Sequence, residues 1–386
     1  MAWPFLYLTL AEVGAAAHGL PWRGAVKPQG IEPMGTSNHT HFSRRGMIAA
    51  AGALPLLAAC GPGRAAGKEN TAAMAGPGRA GDVEIVSSRA AGRFDSDAAF
   101  EVLGEGYGWS EGPTWDRARG ALYFTDVPGN VAYRWAEGEG VSEWLNPSGG
   151  TVVEGFREPG ANGLWYARDG SLLICNHGAR ALERMDIGTK ARTTLAERFG
   201  GERFNSPNDV VEGPDGTLYF SDPPYGLEDE DESPLKEMAV NGVYRLSPDG
   251  ALERILDDMT RPNGVALSPD GAKLYIAQSD PEMPILREYD VATGAVRQLF
   301  DFKPFMDADN PGLPDGFAVA GNGDIFVTGP NGVFLLDPEG ELLARIHTGS
   351  ATANCCFGGA DGSTLFITAH NRLLRIDTDY TGVQWT

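Results

Sequence analysis

The sequence predicts an all-β protein, a six-bladed β-propeller with four-stranded antiparallel blades around a central channel. Fifty-two glycines and 26 prolines break the chain into many short β-rich runs. A unit made of a polar residue, an apolar run, a glycine turn and a second β-rich run recurs, its turn marked by Gly120, Gly170, Gly216, Gly271, Gly323 and Gly362. Repeat starts lie roughly 40 to 55 residues apart, the period of a propeller blade. The terminal repeats are as apolar as the central ones, whereas an open solenoid needs polar caps, so the pattern predicts a closed ring.

The 386 residues, 42% of them hydrophobic, suffice for a large core. A formal net charge of −21 argues against nucleic acid and anionic membrane surfaces as partners. Residues 1–60 read as an extension ending in an export signal. Arg44-Arg45 precedes a weakly apolar stretch from Met47 to Ala59, which closes on Leu57-Ala58-Ala59-Cys60. That stretch is too short for a membrane-spanning helix. It resembles a twin-arginine signal joined to a bacterial lipobox. The expectation is an exported, periplasmic protein lipid-anchored at Cys60, its translation starting near Met34. Residues 61–92, rich in Gly, Ala and Pro, read as a flexible tether, leaving 93–386 for the propeller.

The remaining cysteines, Cys175, Cys355 and Cys356, read as free thiols packed in strands. Phe100–Leu103 reads as a strand that completes or covers the last blade, which has only a short tail after its third strand. An acidic insertion within blade three, Leu227 to Asn241, reads as a solvated loop or as a lid over the channel mouth.

The stretch from Arg203 to Gly226, R-F-N-S-P-N-D-V-V-E-G-P-D-G-T-L-Y-F-S-D-P-P-Y-G, shows the repeat most clearly. Asn208 stands at the head of its first strand. Corresponding positions in the other repeats hold Glu111, Asn162, Asn263, Asp315 and Asn354. Asn and Asp are also ordinary turn formers that start strands. The offset shared by all repeats favours a site instead, because inner strands line the channel and their first residues converge at one end. Two carboxylates and several amides, without thiolate or imidazole, suit calcium, or magnesium and manganese, better than zinc or copper.

At these positions the chain resembles the gluconolactonase, senescence marker protein 30 (regucalcin) and calcium-dependent lactonase family. The matching motifs are S-E-G-P-T-W at 110–115, N-S-P-N-D-V-V at 205–211, S-D-P-P-Y-G at 221–226, R-P-N-G-V-A-L-S-P-D-G at 261–271 and P-D-G at 314–316. The resemblance covers about residues 93 to 386 and is strongest to bacterial gluconolactonases. It implies a six-bladed propeller that hydrolyses a sugar lactone such as glucono-1,5-lactone. It further implies one divalent ion, calcium first with magnesium, manganese and zinc as alternatives, on Glu111, Asn208, Asn263 and Asp315. Asn162 and Arg203 would lie on the substrate side, with Trp109 and Tyr225 as apolar walls. Asp315 is the candidate base that activates water. His177 and His370 read as structural or surface residues rather than catalytic ones. A related hydrolase for other lactones or organophosphate esters, and a non-catalytic binding propeller stiffened by its ion, are the competing readings.

Overall fold

The computed structural model describes residues 82–94, 100–151 and 154–383. The expected export signal, Cys60 and the first part of the expected tether lie outside them. Among the described residues six antiparallel blade sheets follow one another along the chain, with a two-stranded ribbon, Arg198–Phe199 and Glu202–Arg203, before the third. Their innermost strands are Ser110–Asp116, Ala161–Tyr166, Val210–Glu212, Pro262–Leu267, Phe317–Val319 and Asn354–Gly358. The register glycines fall where the sequence placed them. From Gly120 (φ +60°) to Gly362 (φ +77°), all six take the left-handed backbone that a tight turn demands.

Neighbouring blades pack through their sheet faces, and the apolar alternation of each strand supplies both faces. Each neighbouring pair of blades encloses its own cluster of buried side chains. The last of these, which joins blade six to blade one, is aromatic: Trp115 stacks on Phe366 with ring centroids 5.4 Å apart, and Trp135 lies 5.3 Å from the same ring. The circle is closed by this contact and by a strand. Glu101–Glu105 pairs antiparallel with Arg372–Asp377 and forms the outer strand of blade six, as expected from the sequence.

The expected tether 61–92 is ordered at its C-terminal end. Val83–Ile85 adds a fifth strand to blade five beside Leu342–His347. Its two β-branched residues stand out from the Gly/Ala/Pro composition around them. A 3-10 turn at Ser88–Ala90 follows, with Ala90 fully buried and Arg89 Nη1 bonded to Asp337 (2.5 Å) and Glu341 (3.0 Å).

Backbone irregularities sit at the strand-leading residues. In blades one, two and four the inner-strand pairing slips between Glu111 and Thr114, between Ala161 and Leu164, and between Pro262 and Val265. Such bulges re-aim the side chains they contain. In blades three and five the ladder starts two residues later than the sequence suggested, at Val210 and Phe317. Asn208 and Asp315 precede it, with the Asp315 N–H donating to Thr328 Oγ1 (3.0 Å) rather than to a ladder carbonyl.

Candidate active site

The inner strands meet in a ring of contacts made at or beside the six strand-leading residues. A Cβ on Gly112 would lie 2.2 Å from the Asn162 carbonyl oxygen, so only glycine allows that approach. The Gly163 N–H donates to the Asn208 carbonyl at 2.7 Å. Asp209 Oδ2 accepts from the Val265 N–H at 3.1 Å, which carries the contact from blade three to blade four. A Cβ on Gly264 would lie 2.3 Å from the Asp315 carbonyl oxygen, and the Gly316 N–H donates to Ala353 at 2.7 Å. Asn354 Nδ2 then donates to Glu111 Oε2 at 3.3 Å. The circuit is complete.

Glu111, Asn162, Asn208, Asn263 and Asn354 are all buried. Asp315 is half-buried as a residue, but its Oδ1 is fully enclosed and accepts no hydrogen bond. The same is true of Asn263 Oδ1, because the Asn263 amide nitrogen is committed to Ser279 Oγ at 2.8 Å. Enclosed acceptors without donors are costly unless something positive faces them.

The electrostatics agree. Burial pushes the Glu111 carboxyl up to about 8, an effect to which the nearby Asp209 and Glu158 charges add. Burial also raises Asp315 well above the usual carboxylate range, with Glu111 the next cause and Asp209 after it. The two acids therefore disfavour each other's ionisation in a confined space. Tyr225 is raised by burial and then by Asp315, and its hydroxyl is enclosed without a partner. Among the described residues no three His, Cys, Asp or Glu side chains gather as a metal cluster. Any ion here needs amide oxygens as well as the two carboxylates. The donor set of Glu111, Asn208, Asn263 and Asp315, two of its oxygens unpartnered, fits a hard divalent cation.

Arg203 lies on the short strand Glu202–Arg203 just before blade three. Its Nη2 donates to the Ala179 carbonyl at 2.5 Å, and its Nε is enclosed without an acceptor. Asn162 Nδ2 lies 3.3 Å from His177 Nε2. His177 is fully buried rather than at the surface, and burial pulls its imidazole down to about 3. His370, by contrast, is exposed and meets Trp109 edge-on at 5.6 Å. Cys175, Cys355 and Cys356 are free thiols, the first two buried.

Asp209 and Glu158 were not singled out by the sequence reading. Asp209 is pushed up to about 7 by burial, partly offset by N–H donation from Val265 and Val210. A signal for it existed: it stands where blades one, two, four and five carry Gly112, Gly163, Gly264 and Gly316. Glu158 lies in an irregular connection, where no periodicity points to it. Its carboxyl is raised by burial.

The acidic insertion is tied down over this region. Glu230 accepts from Arg157 Nη1 at 2.5 Å and from Arg261 Nη2 at 3.2 Å, and Asp231 pairs with Arg261 and with Lys236 (3.7 Å). Arg157 precedes Glu158, and Arg261 comes two residues before Asn263. The insertion is thus bound to two segments that carry candidate site residues.

The profile described as SMP-30/Gluconolactonase/LRE-like region matches residues 109–371. The gluconolactonase of Zymomonas mobilis is 38% identical over 348 residues, covering 87% of this chain and 98% of that protein. A solved gluconolactonase from Xanthomonas campestris aligns with TM-score 0.66 at 32% identity, covering 79% of this chain and 98% of that one. A regucalcin from Agrobacterium tumefaciens shares the fold, with TM-score 0.58 at 20% identity over 72% of this chain and 94% of that one. With a ring of strand-leading oxygens and a profile match across all six inner strands, this chain belongs to the SMP-30/gluconolactonase/LRE-like family.

Proposed function

We propose that the protein hydrolyses a sugar lactone, glucono-1,5-lactone or a close analogue, to the open-chain aldonic acid. The observation that carries this reading is the pair of buried acids, Glu111 and Asp315, held in one ring with unpartnered amide and carboxylate oxygens. Its 38% identity to a gluconolactonase over nearly the whole of that protein supports the substrate class. Glu111, Asn208, Asn263 and Asp315 would hold the divalent ion, with calcium the first choice. Such an ion, when bound, supplies a positive potential that polarises the lactone carbonyl and stabilises charge developing on its oxygen.

The protein's own groups do the rest. Asp315 takes a proton from the attacking water as the water oxygen bonds to the carbonyl carbon. The ring C–O bond breaks, and that proton passes to the departing ring oxygen, which becomes a hydroxyl. Asn162 and Arg203 orient the sugar hydroxyls, and Tyr225 and Trp109 wall the site. The insertion held by Arg157 and Arg261 excludes bulk water.

We further propose that the protein is exported and anchored at Cys60, the compartment in which oxidation of aldoses releases lactones. Membrane fractionation of wild type and Cys60→Ala tests the anchor, which the variant should release. The central experiment is lactone hydrolysis with and without a chelator, alongside Asp315→Asn. Loss of turnover in both supports the reading, and full activity in Asp315→Asn sinks the role given to that residue.

A further inference from the structure

His177 is buried, carries no net charge at neutral pH and belongs to none of the groups assigned above. Its ring is held on two sides. Gly226 leaves room for it, since a Cβ there would come within 2.8 Å of His177 Cβ and of Ser206 Cβ. Ser206 Oγ in turn accepts from the Gly226 N–H at 2.9 Å and donates to the Pro223 carbonyl at 2.6 Å, so the wall of this pocket is fixed. The imidazole is packed against this wall with Nε2 toward Asn162 and Nδ1 toward Glu158.

The surroundings select the tautomer. Nδ1 faces two acceptors of Glu158, its backbone carbonyl, which favours a proton on the ring, and its Oε2, 4.0 Å away. A proton on Nδ1 is attracted by these oxygens and leaves Nε2 with a lone pair. At 3.3 Å the lone pair requires a donor, which is the Asn162 NH2 and not its oxygen. The charged groups facing this ring are Glu158 and, more distantly, Arg157, whose positive charge disfavours the imidazolium.

We infer that His177 is a positioning residue: as the Nδ1–H tautomer it accepts from the Asn162 amide nitrogen and so turns the Asn162 carbonyl oxygen toward the channel, where it accepts from a hydroxyl of the bound lactone. The substrate half of this inference rests on the lactone reading above. The orientation half rests on the hydrogen bonds alone. Without the imidazole the amide of Asn162 is free to flip, and half of its orientations present NH2 to the substrate instead of oxygen.

The test uses the intact protein with two substitutions and two readouts. Imidazole 15N chemical shifts at neutral pH should show His177 protonated on Nδ1, and an Nε2–H tautomer would overturn the inference. With glucono-1,5-lactone, His177→Leu should raise KM about tenfold, the weight of one lost hydrogen bond, with little change in kcat. His177→Gln, whose side-chain oxygen can accept from the same NH2, should stay within about threefold of wild type. In a double-mutant cycle, His177→Leu should add nothing once Asn162→Ala is present. An unchanged KM in His177→Leu, or equal damage from Leu and Gln, overturns the inference. A wild-type protein that shows the Nδ1–H tautomer but opens no lactone would remove the substrate reading and support the amide pair.

Discussion

Asn354 Nδ2 lies 3.3 Å from Glu111 Oε2, joining the leading residue of the last blade to that of the first. The bond leaves less of the Glu111 carboxylate free and ties the site to closure of the ring. Asn354→Leu should therefore act on both. The enclosed Glu111 oxygen keeps the Gly112 N–H at 2.8 Å but loses its second donor, at about 0.5–1.5 kcal/mol, and cation affinity changes with it. Urea unfolding and calcium titration by calorimetry measure the two effects.

The pH dependence of the ion-free protein has a definite sign. Burial moves Glu111 from 4.5 to about 8 and Asp209 from 3.8 to about 7. Acids raised on folding bind more protons folded than unfolded between those limits. Stability is thus lost as pH climbs from the unfolded values toward 8. The chelated protein should melt at lower temperature at pH 8 than at pH 5, and added calcium should flatten the slope by compensating Glu111 and Asp315. Melting curves at several pH values, with and without EDTA, check this; a slope of the opposite sign contradicts the burial argument.

Asp315→Asn keeps the shape of the site and removes one of two mutually repelling acids. It should lower kcat on glucono-1,5-lactone by about 10²–10⁴-fold, the range of a lost general base. In the chelated protein it should raise the melting temperature. Opposite effects on rate and stability would identify a group placed for chemistry at a cost to the fold.

Asp209→Ala strips the acceptor from the buried Val265 and Val210 N–H groups. The expected cost is about 1–3 kcal/mol for each buried group left unsatisfied. Asp209→Asn keeps one acceptor and should cost less. Chemical unfolding of the two variants ranks them.

Arg261→Ala removes the pairs that pin Glu230 and Asp231. These are partly exposed ion pairs, so global stability should shift by no more than about 1 kcal/mol. The insertion, however, should become sensitive to proteolysis between residues 228 and 241, and KM should rise. Limited digestion followed by mass spectrometry reads the first effect and steady-state kinetics the second.

The ring was legible in the sequence because six glycine turns fixed the register and the leading oxygens then followed by counting back. The outer strand of the last blade was legible for the same reason, since Phe100–Leu103 is β-rich and the final repeat is one strand short. What stayed hidden depends on contacts between distant segments. Val83–Ile85 is too short to outweigh the glycines and alanines around it until Leu342–His347 offers an edge. His177 looked like the end of a second strand, and only the Gly226 turn, 49 residues later, encloses it. Asp209 was visible as a departure from glycine, yet its partner Val265 belongs to another repeat. Glu158 has no pattern around it, and burial alone gives it weight.

Because Glu101–Glu105 is matched with Arg372–Asp377, a segment made early is needed last. A ribosome must deliver almost the entire polypeptide before blade six has its outer edge covered. Until then Arg372–Asp377 has an open hydrogen-bonding edge, and the early strand has no partner. That open edge is the place where a second nascent copy can exchange strands.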